Sequence, residues 1–157
     1  MSQDETFLKR AIELSEKYML QGQGGPFGAV IVKDGQIIGE GWNQVTSSND
    51  PTAHAEVVAI RNACKMAEDF QLEGATIYTS CEPCPMCLAA IYWARLSRVV
   101  YANHRQDAAK IGFDDEFLYQ EIPMPIEKRK IPMQQLLHKE ALEVFAKWDA
   151  KSDKIRY

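Results

Sequence analysis

The sequence lacks any apolar run that approaches the ~18 residues needed to cross a membrane. Its N-terminus, MSQDETFLKRAIELSEK, is charged and amphipathic, so we expect no signal peptide. Both observations predict a cytoplasmic protein, in a compartment where thiols stay reduced. In such a protein, closely spaced cysteines favour a metal site or a catalytic site over a disulfide.

Internal repeats, low-complexity tracts and Gly/Ser linkers are also absent, so we expect one domain spanning residues 1–157. Hydrophobic residues make up 46% of the chain and charged residues 25%, a composition that favours a packed core over disorder. Positive charge is in deficit, since the net charge is -4 and the pI is near 5.4. This balance argues against a protein that binds nucleic acid mainly through phosphates.

The first part of the chain carries helix and hairpin signals. An apolar stripe from Asp4 to about Leu20 predicts a helix, and Ser2 with Glu5 could form its capping box. Two β-rich runs flank Asp34-Gly35, a dipeptide that is typical of a tight hairpin.

The rest of the chain alternates helices and strands. Asp50 as N-cap and Pro51 at the first helical position predict the start of one helix, and another is predicted from about Pro83. ATIYTS and SRVVYAN predict strands, IPMQQLL a possible last strand, and HKEALEVFAKWDAKSDK a final helix. Strands joined by helices imply an α/β fold, a sheet with helices on its faces.

Three cysteines, Cys81, Cys84 and Cys87, are equally spaced in TSCEPCPMC. Cys84 and Cys87 would share a face at a helix N-terminus, which stabilises thiolates. With His54 they make a three-ligand set that suits Zn²⁺ and leaves a fourth position for water, and the two thiolates balance the charge of the ion. Cys81 as a fourth protein ligand would instead close the site and make the zinc structural.

Glu56 follows His54 by two residues, which is about 200° around the axis of a regular helix. The two side chains would then not bind one metal side by side. We therefore expect Glu56 to face the metal-bound water, where it could take up a proton and later return it.

The pair His54-Ala55-Glu56 and Pro83-Cys84-Pro85-Met86-Cys87 is similar to the H-x-E…P-C-x-x-C signature of the zinc nucleobase deaminases. The resemblance extends along essentially the whole chain. GGPFGAVIVKDG, NDPTAHAE, YTSCEPCPMCLAAIYWAR, GFDD and the terminal tyrosine together resemble the bacterial guanine deaminases.

The resemblance implies a three-layer α/β/α cytidine-deaminase-like fold, with a central mixed five-stranded sheet and helices on both faces. It implies one Zn²⁺ per subunit and hydrolysis of guanine to xanthine and ammonia, in purine salvage or catabolism. The tRNA adenosine deaminases share both parts of the signature, so they, or another nucleobase or nucleoside deaminase, are an alternative. A non-catalytic structural zinc module, with Cys81 as fourth ligand, is a lesser alternative.

Carried over by matching position, the resemblance assigns the zinc ligands to His54, Cys84 and Cys87 and the proton shuttle to Glu56. Asp115, in GFDD, would help carry a proton to the departing amine, with its neighbour Asp114 as the alternative.

The same comparison implies five contacts to the purine: Asn43, the backbone of Ala55, Phe27, Trp93 and Tyr157. Tyr157 would come from the partner subunit of a homodimer, after exchange of a C-terminal segment of about residues 131–157. A small purine base is then the expected partner, and neither nucleic acid nor a membrane is expected.

Overall fold

The computed structural model describes all residues, 1–157, and it has the predicted order of helix, hairpin, helix, strand, helix and strand. The strands are β1 (Gly28–Lys33), β2 (Gln36–Trp42), β3 (Thr76–Cys81) and β4 (Arg98–Asn103). The helices are α1 (Gln3–Leu20), α2 (Val45–Ser48), α3 (Ala55–Ala67), α4 (Pro85–Trp93), α5 (Arg105–Lys110), α6 (Glu116–Glu121) and α7 (His138–Ala150). The chain divides into two compact units, a core unit (Met1–Asp115) and a C-terminal unit (Glu116–Tyr157).

The core unit is built on a mixed sheet of order β2-β1-β3-β4. β1 is antiparallel to both of its neighbours, and β3 is parallel to β4. The predicted hairpin joins β1 to β2, and both turn residues, Asp34 and Gly35, have positive φ values of 51° and 75°. These are the conformations that a two-residue hairpin turn of type I′ requires.

Helices cover both faces of this sheet, which confirms the three-layer α/β/α architecture. On one face, α1 packs over β1 and β3 through Ala11, Leu14, Val30, Val32 and Tyr78. On the other face, α3 and α4 pack over the same two strands through Ala29, Ile31, Ala55, Ala59, Ala63, Ile77 and Ile91. The sheet has four strands where five were expected. Residues 131–137 pair with no strand, and Pro132 there has no N–H to donate to a ladder.

Two glycines of β2 let α3 approach the sheet closely. A Cβ at Gly41 would overlap the backbone of Ala55 and Ala59, and a Cβ at Gly39 would meet the backbone of Ala59 and Ala63 at 2.7–2.8 Å. Because no larger residue fits, the first two turns of α3 are held directly against β2.

The N-terminus of α1 is capped and anchored as its sequence suggests. Ser2 and Glu5 form the predicted capping box, with bonds of 3.2 Å and 2.6 Å. The carboxylate of Asp4 accepts a hydrogen bond of 2.7 Å from the phenol of Tyr78 and two from the guanidinium of Arg98. α1 is thereby tied to both β3 and β4.

The C-terminal unit contains α6, a short 3₁₀ turn (Ile126–Lys128) and α7, the predicted final helix. None of its residues is buried. Its exposed large apolar side chains are Phe117, Ile122, Met124, Ile126, Ile131, Met133, Leu136, Leu137, Leu142, Val144, Phe145, Trp148, Ile155 and Tyr157. After α7, the ammonium of Lys154 bonds to the carbonyl and the carboxylate of Asp149.

No helix in either unit combines the length and the apolar character needed to cross a membrane.

Candidate active site

His54 lies at the start of α3 but outside its regular turns. The helix begins at Ala55, and His54 is the N-cap in an extended conformation (φ -68°, ψ 154°). The predicted start at Asp50 and Pro51 is therefore wrong. Asp50 instead closes a local turn, accepting bonds from the N–H of Thr52 at 2.8 Å and from its hydroxyl at 2.7 Å.

Cys84 and Cys87 open the next helix. Cys84 is the N-cap of α4, Pro85 occupies the first turn, and Cys87 follows one turn later and is fully buried. The start predicted near Pro83 agrees within two residues. Two helix N-termini, those of α3 and α4, therefore supply all the donors described next.

These donors converge on one point. The Nδ1 atom of His54 lies 3.5 Å from the sulfur of Cys84 and 3.4 Å from that of Cys87. The three ligand atoms all lie within 4.8 Å of one another, so the group could hold a metal ion.

The charge state of the two thiols fits a cation as well. Hydrogen bonds from Cys87 and His54 lower the pKa of Cys84 to about 4. The same bond to Cys84, together with burial, raises the pKa of the Cys87 thiol. The ionisation of one sulfur thus opposes that of the other, and coordination of a divalent cation is what would let both ionise. One imidazole and two thiolates at this spacing are a donor set typical of zinc.

Cys81 does not belong to this group. Its thiol donates to the carbonyl of His104 at 3.7 Å, and burial raises the pKa of Cys81 to about 11. Because Cys81 lies outside the convergent group and has its own acceptor, it is not placed as a fourth ligand. The geometry is therefore that of an open site with three protein donors, and it does not support the closed structural alternative.

Glu56 is the second residue of α3 and is only 7% exposed. Burial raises the pKa of its carboxyl, and the charge of Cys84 acts in the same direction. The hydroxyl of Thr79 lies 3.5 Å from Oε1, while its shorter bond, 2.8 Å, goes to the carbonyl of Cys81. The group that could hold a metal does not include Glu56. His54 precedes the helix, so the predicted angle of about 200° between the two side chains does not apply. A buried carboxyl with a raised pKa beside these donors is suited to taking up a proton.

Ala55 and Asn43, the two residues predicted to hydrogen-bond the base, each keep a donor that is not used within the chain. Ala55 is the first residue of α3, so its N–H has no acceptor within the helix. Asn43 follows β2 directly and is buried, and its Oδ1 accepts the N–H groups of Gly25 and Val45, both at 3.2 Å. The side-chain nitrogen of Asn43, Nδ2, remains available to donate to another acceptor.

The three aromatic residues predicted to contact the base differ in how exposed they are. Phe27 is half-buried and packs edge-on against Phe113, with ring centroids 4.9 Å apart. Trp93 ends α4, about 9 Å along the axis from Cys87, and is 63% exposed. Tyr157 ends the C-terminal unit and is exposed. The roles of Trp93 and Tyr157 at the base stay predictions.

The two aspartates of GFDD differ in exposure. Asp115 is half-buried and Asp114 is exposed. Burial raises the pKa of Asp115, and the charge of Cys84 adds to the effect, so this carboxyl lies within electrostatic reach of the metal-ligand group.

Sequence reasoning missed two residues of this region. Thr79 and Phe113 each lie within a quoted motif, at the first position of TSCEPC and before the aspartates of GFDD. Their contacts with Glu56 and Phe27 join residues 23 and 86 positions apart, so no local pattern could have indicated them.

Comparison with known proteins agrees with this geometry. Residues 1–103 match the family of the cytidine and deoxycytidylate deaminase zinc-binding region. Guanine deaminase of Bacillus subtilis is 58% identical over 153 residues, which cover 98% of each chain. This chain belongs to the guanine deaminase family.

Structural comparison gives the same grouping. The X-ray structure of guanine deaminase from Bacillus subtilis superposes with a TM-score of 0.95 over 98% of both chains. The tRNA-specific adenosine deaminase of Haemophilus influenzae is less similar to this chain. The two are 42% identical over 118 residues, which cover 71% of this chain and 68% of that one. The zinc-binding region is thus shared widely, and the full-length match is to a guanine deaminase.

Proposed function

We propose that this protein is a zinc-dependent guanine deaminase, which hydrolyses guanine to xanthine and ammonia in purine salvage or catabolism. The observation that carries the proposal is the buried carboxyl of Glu56 beside the three-donor group. It occurs in a chain whose full-length relative at 58% identity is a guanine deaminase.

The metal part of the proposal concerns His54, Cys84 and Cys87. Together they would hold one zinc ion per subunit, and their distances and pKa directions support this assignment. The ion would supply Lewis-acid activation of a water molecule at the position that the protein leaves open.

Glu56 and Asp115 would move the protons. Hydrolysis adds the oxygen of water to C2 of guanine and breaks the bond from C2 to the amino nitrogen, which leaves as ammonia. Glu56 would take a proton from the water and return it to this nitrogen, a role that its burial and raised pKa support. Asp115 would help carry this proton to the departing amine, and the second proton of the water would end on the ring nitrogen N3, which gives neutral xanthine and ammonia.

The base would be bound by groups around this chemistry. Asn43 and the N–H of Ala55 would hydrogen-bond the purine, and Phe27 and Trp93 would contact its ring. Tyr157 of the partner subunit would close the site. The hydrogen-bonding state of Asn43 and the free helical N–H of Ala55 support the first two assignments.

We also propose that the chain is one domain and forms a homodimer by exchanging residues of about 131–157. The support is that no residue of the C-terminal unit is buried, while many of its large apolar side chains are exposed. About 42 residues without a buried core are too few to fold alone. In addition, β4 has a neighbour on one side only, so its other edge is open to a fifth strand.

The small base is expected to be the only partner besides a second copy of the chain, and a cytoplasmic location stays a prediction.

The deciding experiment is ammonia release by the zinc-loaded protein from guanine, adenine, cytosine, cytidine and an adenosine-bearing tRNA stem-loop. Glu56→Gln is the blank. Release from guanine alone, absent in the blank, is the expected result. Release from another substrate would contradict guanine as the base and would still support a hydrolytic deaminase site. No release at all would contradict both.

A further inference from the structure

The carboxamide of Asn43 is held in one orientation by backbone donors. Its Oδ1 accepts two N–H groups, from Gly25 and Val45, and the residue is only 7% exposed. A flipped amide would set its NH₂ group against both donors and lose both bonds. Nδ2 has no partner within the chain, and no buried side-chain nitrogen or oxygen lacks one, so Nδ2 is open to solvent. Asn43 can therefore offer only donors to a bound molecule.

The turn that supplies one of these donors is pressed against Asn43. A Cβ at Gly24 would overlap the carbonyl oxygen and the Oδ1 of Asn43. Only glycine fits at this position without displacing one of the two segments. The close approach places the N–H of the next residue, Gly25, on Oδ1.

Gln23 joins the segments on both sides of Asn43. Its Oε1 accepts the indole N–H of Trp42 at 3.0 Å. Its carbonyl accepts the N–H of Ser47 and the hydroxyl of Thr46, both at 3.3 Å. Gln23 thus links the residue before Asn43 and the helix after it to the turn that contains Gly25.

The indole of Trp42 is itself fixed. It stacks on the ring of Tyr18, with centroids 3.6 Å apart and an interplanar angle of 7°. The direction of its N–H is set by this stack, so the bond to Gln23 is made without further ordering of the tryptophan.

We propose that Gln23 and Gly24 are positioning residues, which act through Asn43 and make it a donor-only contact for an acceptor atom of the base. The inference rests on the proposed function, because it assumes that Asn43 contacts the substrate. Neither residue touches the reacting atoms. Their effect is on how well the base is held, so it falls on KM more than on kcat.

The test compares Gln23→Met, which removes the acceptor for Trp42, with Gln23→Glu, which keeps it. For guanine, we expect Gln23→Met to raise KM about three- to tenfold with little change in kcat, as for the loss of one hydrogen bond. Gln23→Glu should stay close to the parent protein. Gly24→Ala should raise KM at least as much as Gln23→Met does.

Action through Asn43 is tested by repeating Gln23→Met in an Asn43→Ala protein. No further rise in KM is expected there, because the group being positioned is gone. An equal rise in both backgrounds would overturn the proposal, since the effect would then be a general one.

A second readout does not need turnover. Amide hydrogen exchange at Gly25 and Val45, followed by NMR, should be faster in Gln23→Met than in the parent and unchanged in Gln23→Glu. Unchanged exchange in Gln23→Met would overturn the positioning role. If the parent protein fails to deaminate guanine, the proposed function fails, and this exchange measurement still decides whether Gln23 orients Asn43.

Discussion

The Nδ1 atom of His54 lies 3.4 Å from the sulfur of Cys87, although 33 positions separate the two residues. Each is in the first turn or at the cap of a different helix, and β3 runs between those helices in the sequence. The contact therefore depends on the sheet bringing two helix N-termini together.

Cys87→Ser should lose most of the bound zinc, whereas Cys81→Ser should keep it. The first substitution replaces one of the three convergent donors, and the second alters a thiol that is bonded to the carbonyl of His104 instead. Metal content per chain, measured after dialysis, distinguishes the two variants. Equal loss in both would make Cys81 a ligand and the site closed.

Glu56→Gln should keep its zinc and lose ammonia release by about 10²–10⁴-fold, since a positioned acid–base group contributes about that much. The amide has nearly the same shape as the carboxyl but cannot take up a proton. Glu68→Gln, the same change at the exposed C-terminal end of α3, is the matched control and should retain activity. Full activity in Glu56→Gln would show that Glu56 does not transfer the proton.

Two inactive proteins should restore activity when they are combined. One is Glu56→Gln and the other lacks residues 155–157, and each would be unfolded and refolded in a mixture with the other. If the tail acts on the partner subunit, the truncated chain keeps an intact Glu56 and receives a complete tail, so mixed dimers have one working site.

The controls for this mixture are each variant refolded alone, which should remain inactive. An active truncated protein would contradict a role for Tyr157. A mixture that forms dimers and stays inactive would mean that the tail acts on its own chain.

Tyr78 should make the stability of the fold sensitive to alkaline pH. Burial and the hydrogen bond to Asp4 raise the pKa of Tyr78 from 10.0 to about 12. The folded state thus favours the neutral phenol. Its contribution to the free energy of unfolding is complete below pH 10 and is lost as the pH rises through 12.

Urea unfolding across this range should show a shallower loss of stability in Tyr78→Phe than in the parent. Tyr92→Phe, at an exposed tyrosine of α4, should keep the steep dependence. An equally steep loss of stability in Tyr78→Phe would contradict this prediction.

Local signals predicted most of the fold. The capping box of Ser2 and Glu5, the Asp34-Gly35 turn and the apolar stripe of α1 depend on neighbours within a few residues, and each is present. The helix start predicted at Asp50 and Pro51 was wrong. The carboxylate of Asp50 accepts the N–H of Thr52, and this bond closes a turn in place of a first helical turn. The predicted strand at residues 131–137 has no pairing partner in the chain.

The candidate site was predictable in part for the same reason. His54, Glu56, Cys84 and Cys87 stand in a two-part motif that can be read directly from the sequence. The contacts of Thr79 with Glu56, Phe113 with Phe27, and Gln23 with Trp42 join distant segments. They follow from the packing of the sheet and its loops, which no local pattern encodes.

The placement of His54 and Cys84 as caps of two separate helices has a consequence for how the protein acquires its metal. In the unfolded chain 30 positions separate them, and in the folded protein the donors meet where β3 pairs with both β1 and β4. The three donors are held together only in the folded chain, so zinc binding is coupled to folding. An ion bound by these donors would therefore stabilise the folded chain against the unfolded one.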